Sequence, residues 1–150
     1  MLTVGTYHYI RNDFSAPFPS IFGVTPDAFR QQLKVLGNEG TFISPIQFAE
    51  NSNNILRSEE NYLLITFDDG LKEQYENAVP ILEELDIPAI FFINSINHIE
   101  KQLSLVHKIH LVRSGISSFV LLDSLKCFTR RELTALEIEK AHHFYRFDSK

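Results

Sequence analysis

The chain has 150 residues and is 44% hydrophobic and 22% charged, the composition of a domain that buries one core rather than of a disordered chain. Fourteen Lys and Arg against 19 Asp and Glu, a formal charge of -5, argue against a surface that gathers nucleic-acid phosphates or anionic lipid. The longest apolar stretch, residues 87–93, is far shorter than the roughly 20 residues of a membrane-spanning helix, so no transmembrane segment is expected. The first ten residues lack the basic region and cleavage site of a secretory leader, and the single Cys127 closes no internal disulfide. A cytoplasmic location is the expectation that agrees with both.

Leu2 to Ile10 is rich in β-branched and aromatic residues and stops at Arg11-Asn12-Asp13, which predicts a first strand followed by a loop. That loop runs through Pro17 and Pro19 and carries Phe14, Phe18, Ile21 and Phe22, an apolar content expected of a segment that folds back on the structure. Thr25-Pro26-Asp27 opens a helix with a capping hydroxyl, a proline at the first position and an acid in the first turn. Phe29, Leu33 and Leu36 continue it at helical spacing, and Gly37 and Gly40 close it. Thr41 to Ile46 reads as a short second strand before a polar, turn-forming stretch, Glu50 to Asn54.

Tyr62 to Phe67 is a continuous apolar run that suits a strand buried on both faces of a parallel sheet, and it ends in Asp68-Asp69-Gly70. Lys72 to Asp86 returns to helical spacing through Tyr75, Val79, Leu82 and Leu85, with Pro80 as a kink or restart. The next strand is Ala89 to Ile93, and strand, helix and strand with short connections predict right-handed parallel crossovers, an α/β fold. Beyond Asn94 the pattern weakens. Leu103 to Val112 favours helix over strand, Ile116 to Leu122 reads as a short strand or a buried helical turn, and Thr129-Arg130-Arg131-Glu132 fits a capping box opening a helix with Leu133, Leu136 and Lys140. Residues 145–150 carry no stop signal.

Ile65-Thr66-Phe67-Asp68-Asp69-Gly70 is where chemistry is expected, because ligands of parallel α/β sheets gather at the carboxyl ends of strands. Adjacent side chains on a regular strand point to opposite faces, so both acids serve one site only if the backbone turns there, which Gly70 permits. Neighbouring carboxylates can then divide their roles, one binding a divalent cation and the other accepting a proton from water. Asp-Asp-Gly also ends strands with no catalytic role, Asp69 then merely capping the helix near Lys72, and spacing alone leaves the two readings level.

Thr66-Phe67-Asp68-Asp69-Gly70 after an apolar strand resembles the first motif of the polysaccharide deacetylases, carbohydrate esterases that act on chitin oligosaccharides, peptidoglycan and related glycans. Thr6-Tyr7-His8-Tyr9-Ile10 is similar to the family's opening strand, Asn77-Ala78-Val79-Pro80-Ile81-Leu82 to the helix after the motif, and Pro88-Ala89-Ile90-Phe91-Phe92-Ile93 to the next barrel strand. The resemblance covers roughly residues 1–95. It implies a deformed (β/α) barrel and metal-dependent hydrolysis of N-acetyl groups on an N-acetylated carbohydrate substrate, with Asp68 as catalytic base, Asp69 as metal ligand, and a divalent metal, commonly zinc, as cofactor. His8, at the carboxyl end of the first strand, reads either as a hydrogen-bonded wall residue or, the favoured reading, as facing the same pocket as Asp68 and touching substrate or an acid partner, with no ligand role. Tyr7, Tyr9, Phe14 and Phe18 offer rings for sugar stacking, with core packing the favoured role for most of them.

The family's second motif, His-Ser/Thr-x-x-His, which supplies the remaining metal ligands, is absent from the chain. His107 and His110 are three apart and share a face if helical, a conceivable surrogate pair, while His142-His143 reads as a solvated face. A largely helical insertion before the second motif, as some members carry, explains the departure better. The expected organisation is therefore a partial barrel over 1–95 and a mainly helical insertion, incomplete at its end, over 96–150, inactive by itself. A full (β/α)8 barrel takes about 250 residues, and only four strands are credible here. Such a half barrel is expected to self-associate through unpaired strands and exposed apolar surface. The alternative reading is a non-catalytic barrel remnant that binds carbohydrate or a protein partner. An aspartate-nucleophile phosphatase needs one residue between its acids, which Asp68 and Asp69 lack, and a two-carboxylate glycosidase would release reducing sugar instead of acetate.

Overall fold

The β-branched and aromatic runs form an open, parallel, four-stranded sheet in the computed structural model, which describes residues 1–15, 20, 21, 23–132, 134–137 and 139. The strands are β1 (Leu2–Tyr7), β2 (Thr41–Phe42), β3 (Tyr62–Phe67) and β4 (Ala89–Phe91). Central β3 pairs with β1 from Leu2 opposite Tyr62 to Tyr7 opposite Phe67. Its other edge is shared, β2 taking Tyr62 and Leu63 and β4 taking Ile65 to Phe67. The sheet does not close on itself among the described residues.

Burial of β3 on both faces follows from its unbroken apolar sequence. Ile65 and Phe67 point into one core with Ile10, Phe29, Leu33, Ala78, Ile81 and Leu82, while Leu64 points into a second with Ile43 and Ile55. Phe67 stacks on Phe91 with ring centroids 4.6 Å apart and receives the edge of Phe29 at 5.7 Å. Burying a ring of this size stabilises by about 2–3 kcal/mol. The strand that ends in the two acids is thus the most firmly held element of the fold.

Helix α1 (Pro26–Gly37) begins as its sequence predicts, Thr25 accepting from the Ala28 N–H at 3.2 Å and Phe29 and Leu33 buried. The second strand is shorter than expected, and the stretch read as a turn at residues 50–54 lies inside α2 (Pro45–Arg57). The reason is local: Ser44 accepts from the Gln47 N–H while the Gln47 side chain accepts from the Ser44 N–H, a capping box that starts a helix where the polar composition suggested a loop. The helix carries non-helical torsions at Asn51. Beyond β3 the predicted helix forms in two parts, a π-helical segment (Gln74–Ala78) running into α3 (Val79–Glu84), with Pro80 just inside the latter. Proline lacks the N–H that a continuous α-ladder requires, consistent with a change of winding immediately before it.

The first strand also ends earlier than read. Residues 8–11 leave the sheet, and Val24 returns to them: its N–H donates to Tyr9 O at 2.9 Å and its carbonyl accepts from Arg11 N at 3.1 Å. A Cβ on Gly23 would fall 2.2 Å from Tyr9 O, so this return at Val24 requires glycine. Pro17, Phe18, Pro19 and Phe22 lie outside the described residues. Residues 95–129 are mainly helical, as α4 (Ser95–Glu100), α5 (Leu105–Gly115) and α6 (Ser118–Thr129). The last replaces the strand or short turn considered for 116–122; Ser117 caps it by accepting from Val120 N at 3.3 Å. The box read at Thr129 is displaced: Thr129 ends α6, and reciprocal capping joins Thr134 to Glu137. Leu133, Lys140 and residues 141–150 lie outside the described part.

Candidate active site

Asp68 extends the ladder one residue past β3, its N–H donating to Tyr7 O at 3.1 Å. The chain then turns through Asp69, with φ 75°, and Gly70, with φ 61°. The turn expected at Gly70 therefore starts one residue earlier, with Asp69 itself in the left-handed region, where Asp is tolerated better than most residues. A Cβ on Gly70 would lie 3.0 Å from Ile93 Cγ2, so the position is closed sterically as well as by torsion.

Each acid meets its own imidazole. Asp68 Oδ2 is 3.6 Å from His8 Nε2, with roughly half of each side chain open to solvent. Asp69 Oδ2 is 3.5 Å from His107 Nε2, where the His107 side chain is only 6% exposed. His8 stands one residue past the end of β1, which is in register with β3, so the sheet itself aligns His8 with Asp68. The side chain expected to stand near Asp68 is therefore beside it.

His107 and His110 do share one face of α5, as their spacing predicts, and both meet Tyr9. The Tyr9 hydroxyl lies 2.6 Å from His107 Nδ1 and 3.0 Å from His110 Nδ1. One phenolic hydrogen serves two ring nitrogens, so at least one imidazole must donate through its Nδ1–H. Burial, followed by the charges of His107 and Arg113, pushes His110 below the usual imidazole range; Asp69 opposes the shift and His8 adds to it. Tyr9 is thus a buried bridge rather than a stacking platform, and Tyr7 packs in the core against Phe29 and Phe67. Phe14 lies 5.9 Å below the Arg11 guanidinium.

The support beneath the site was not foreseen. Gln74, 1% exposed, donates from Nε2 to His8 O at 2.7 Å and to Asp68 O at 2.6 Å, while its Oε1 accepts from Leu71 N at 3.2 Å. Asn77 donates to Ile10 O at 2.7 Å, and Glu73 pairs with Arg11, Oε2 to Nη2, at 2.8 Å. The π-helical segment and the residue before it thereby hold the strand end that carries His8. The signal was present: Gln74 lies on the stripe of Ala78, Ile81 and Leu82, and a polar residue on a buried stripe needs partners.

As a cation site the donor set is partial. Among the described residues no three His, Cys, Asp or Glu side chains converge to hold an ion. Asp69 and His107 do offer two unlike donors, carboxylate and imidazole, and His107 Nε2 is buried without a hydrogen-bond partner. These two residues fit two corners of such a site. His142 and His143 lie outside the described residues.

Paired acids at the carboxyl end of the central strand of a parallel sheet stand where such sheets bind their ligands. Residues 56–117 match the family model of the polysaccharide deacetylases. The match begins later than the resemblance read from the motif, leaving out β1, and reaches further, through α5 with His107 and His110. Over those residues the chain resembles the polysaccharide deacetylases. Among solved structures, a Streptococcus pyogenes deacetylase, PplD, in complex with acetate is 28% identical with TM-score 0.53, covering 77% of this chain and 54% of that one. A de-N-acetylase from Aggregatibacter actinomycetemcomitans is 19% identical with TM-score 0.55, covering 85% and 51%, and IcaB from Ammonifex degensii is 34% identical with TM-score 0.49, covering 61% and 37%. The chain thus spans from about a third to about half of the length of these structures. No curated protein matches it closely enough to count as a relative. No helix among the described residues is long and apolar enough to cross a membrane.

Proposed function

We propose that the chain carries the aspartate half of a metal-dependent hydrolase that removes N-acetyl groups from an N-acetylated sugar or polysaccharide, breaking a non-peptide C–N bond. The observation that carries this reading is the pair of acids at the turn after β3, each beside an imidazole, within a segment that matches the polysaccharide deacetylases. In this reading residues 1–95 form part of a deformed (β/α) barrel and residues 96–150 a mainly helical insertion.

Asp69 would hold the cation, zinc by the chemistry of a carboxylate and imidazole donor set. When bound, the ion supplies Lewis-acid polarisation of the acetamide carbonyl and of the attacking water. Asp68, open to solvent at the rim, accepts the proton of the water that attacks the carbonyl carbon. His8 keeps the Asp68 carboxylate turned toward the site and stands where a bound sugar would touch it. Gln74, through the backbone carbonyls of His8 and Asp68, fixes the spacing of base and imidazole. The proton held by Asp68 passes to the amide nitrogen as the bond between carbonyl carbon and nitrogen breaks, and acetate and a free amine leave.

One carboxylate and one imidazole hold a catalytic ion weakly, so the 150-residue chain alone is expected to turn over little. The assay therefore uses the longest natural polypeptide containing these residues, with added zinc or cobalt and N-acetylated oligosaccharides of glucosamine. Acetate release that falls by about 100-fold or more in Asp68→Asn supports the proposal, since general-base catalysis contributes factors of about 10²–10⁴. Release of reducing sugar in place of acetate, or full activity in Asp68→Asn, overturns it.

A further inference from the structure

We infer that His107, from the helical region outside the acidic motif, is a second ligand with Asp69 for a divalent cation, and that Tyr9 sets its tautomer for that task. This rests on the reading of Asp69 as a cation ligand and adds a residue that the deacetylase motif does not supply. Three observations converge. His107 Nε2 is buried, lacks a hydrogen-bond partner and stands 3.5 Å from Asp69 Oδ2. A buried ring nitrogen left unsatisfied costs about 1–3 kcal/mol, so a site that retains one calls for a partner.

The separation itself is informative. A hydrogen bond between these atoms would bring them to about 2.7–2.9 Å. Two atoms bound to one tetrahedral zinc, each about 2.0–2.2 Å from it, lie about 3.3–3.5 Å apart. The observed 3.5 Å is longer than such a hydrogen bond and leaves the two atoms free to share another partner.

The third observation is the ring's other nitrogen. Histidine ligands of metals ordinarily donate their second N–H to a fixed acceptor, which leaves the ligating nitrogen with its lone pair free. The Tyr9 oxygen, 2.6 Å from His107 Nδ1, is such an acceptor, and its own hydrogen can pass on to His110 Nδ1 at 3.0 Å. His110 is then the terminus that keeps Tyr9 turned, a positioning residue rather than a ligand. The arrangement joins β1's loop, the acidic turn and α5 at one point, so cation binding would fasten the helical region to the sheet.

The test is a titration of the 150-residue chain with zinc chloride, read from the imidazole nitrogens by ¹⁵N NMR. The His107 signals are identified by their loss in His107→Gln. Zinc is expected to shift His107 Nε2 to the metal-bound range while Nδ1 stays protonated. Asp69→Asn, which leaves the His107 ring intact, is expected to abolish that response, and Tyr9→Phe to weaken it by about tenfold. Retention of the far-UV dichroism in Asp69→Asn and Tyr9→Phe separates ligand loss from unfolding. If amides around Asp69 respond to zinc while the His107 Nε2 signal does not shift, the inference falls and the reading of Asp69 as a cation ligand stands. If His107 and Asp69 both respond but the natural polypeptide releases no acetate, the ligand pair stands and the deacetylase reading falls.

Discussion

Gln74 shows how much of the site is held by a residue that performs no chemistry. Its amide donates to the carbonyls of His8 and Asp68, and its own carbonyl accepts from Leu71, all of its polar capacity spent inside the fold. Gln74→Leu preserves approximate volume but leaves two part-buried acceptors and one donor without partners, and is expected to cost about 1–3 kcal/mol, read as a lower denaturation midpoint. Gln74→Glu replaces the donor by an acceptor facing two carbonyl oxygens and should be the worse of the two. Unchanged stability in both would remove the clamp from the account. Asp68 and Asp69 were legible as a pair because they are adjacent at a strand end, and His8 because it closes the first strand at the same edge of a parallel sheet. The coupling of Tyr9 to His107 and His110 was not, since it spans about a hundred positions and arises only from the docking of α5 on the end of β1.

At the scale of elements, the same contrast separates strands from helices. Strand β3 was readable because a continuous apolar run has few alternatives to burial in a parallel sheet, and β1 from its β-branched and aromatic content, although the short pairing of β2 and β4 could not be inferred from composition. Helix α2 was missed because its asparagine-rich middle carries loop propensity, whereas its formation is decided at Ser44-Pro45-Ile46-Gln47. Capping there is reciprocal, with distances of 2.7 and 3.1 Å. Ser44→Ala removes one half of the box and should cost about 1 kcal/mol, with Ser44→Asp close to neutral, as measured by thermal or denaturant unfolding. Because Asn51 already interrupts the helical torsions, helicity lost from Ser44→Ala should concentrate before that residue, which amide hydrogen exchange would locate. An even loss along α2 would show that packing of Ile55, not the cap, starts the helix.

For the whole molecule, the distribution of apolar surface is the decisive quantity. The buried core lies almost wholly in the sheet half, and the helical half leaves Phe119 86% and Phe128 87% exposed, with Ile99, Leu105 and Leu125 also open. Among the described residues β1 pairs with a strand on one side only. Exposed apolar side chains favour association where they gather into a patch, and an unpaired parallel edge adds a template for further pairing. The 150-residue chain is therefore expected to associate with itself as concentration rises, detected as a growing weight-average mass in sedimentation. If the α6 surface drives association, Phe119→Ser with Phe128→Ser should restore a single monomeric species with little loss of stability, because neither ring is buried in the fold. If the sheet edge drives it, the double variant will associate as before, while Val4→Lys, a charge on the half-exposed edge strand, will suppress it. A wild-type chain that stays monomeric and melts cooperatively at high concentration would mean that these surfaces are compatible with an isolated domain.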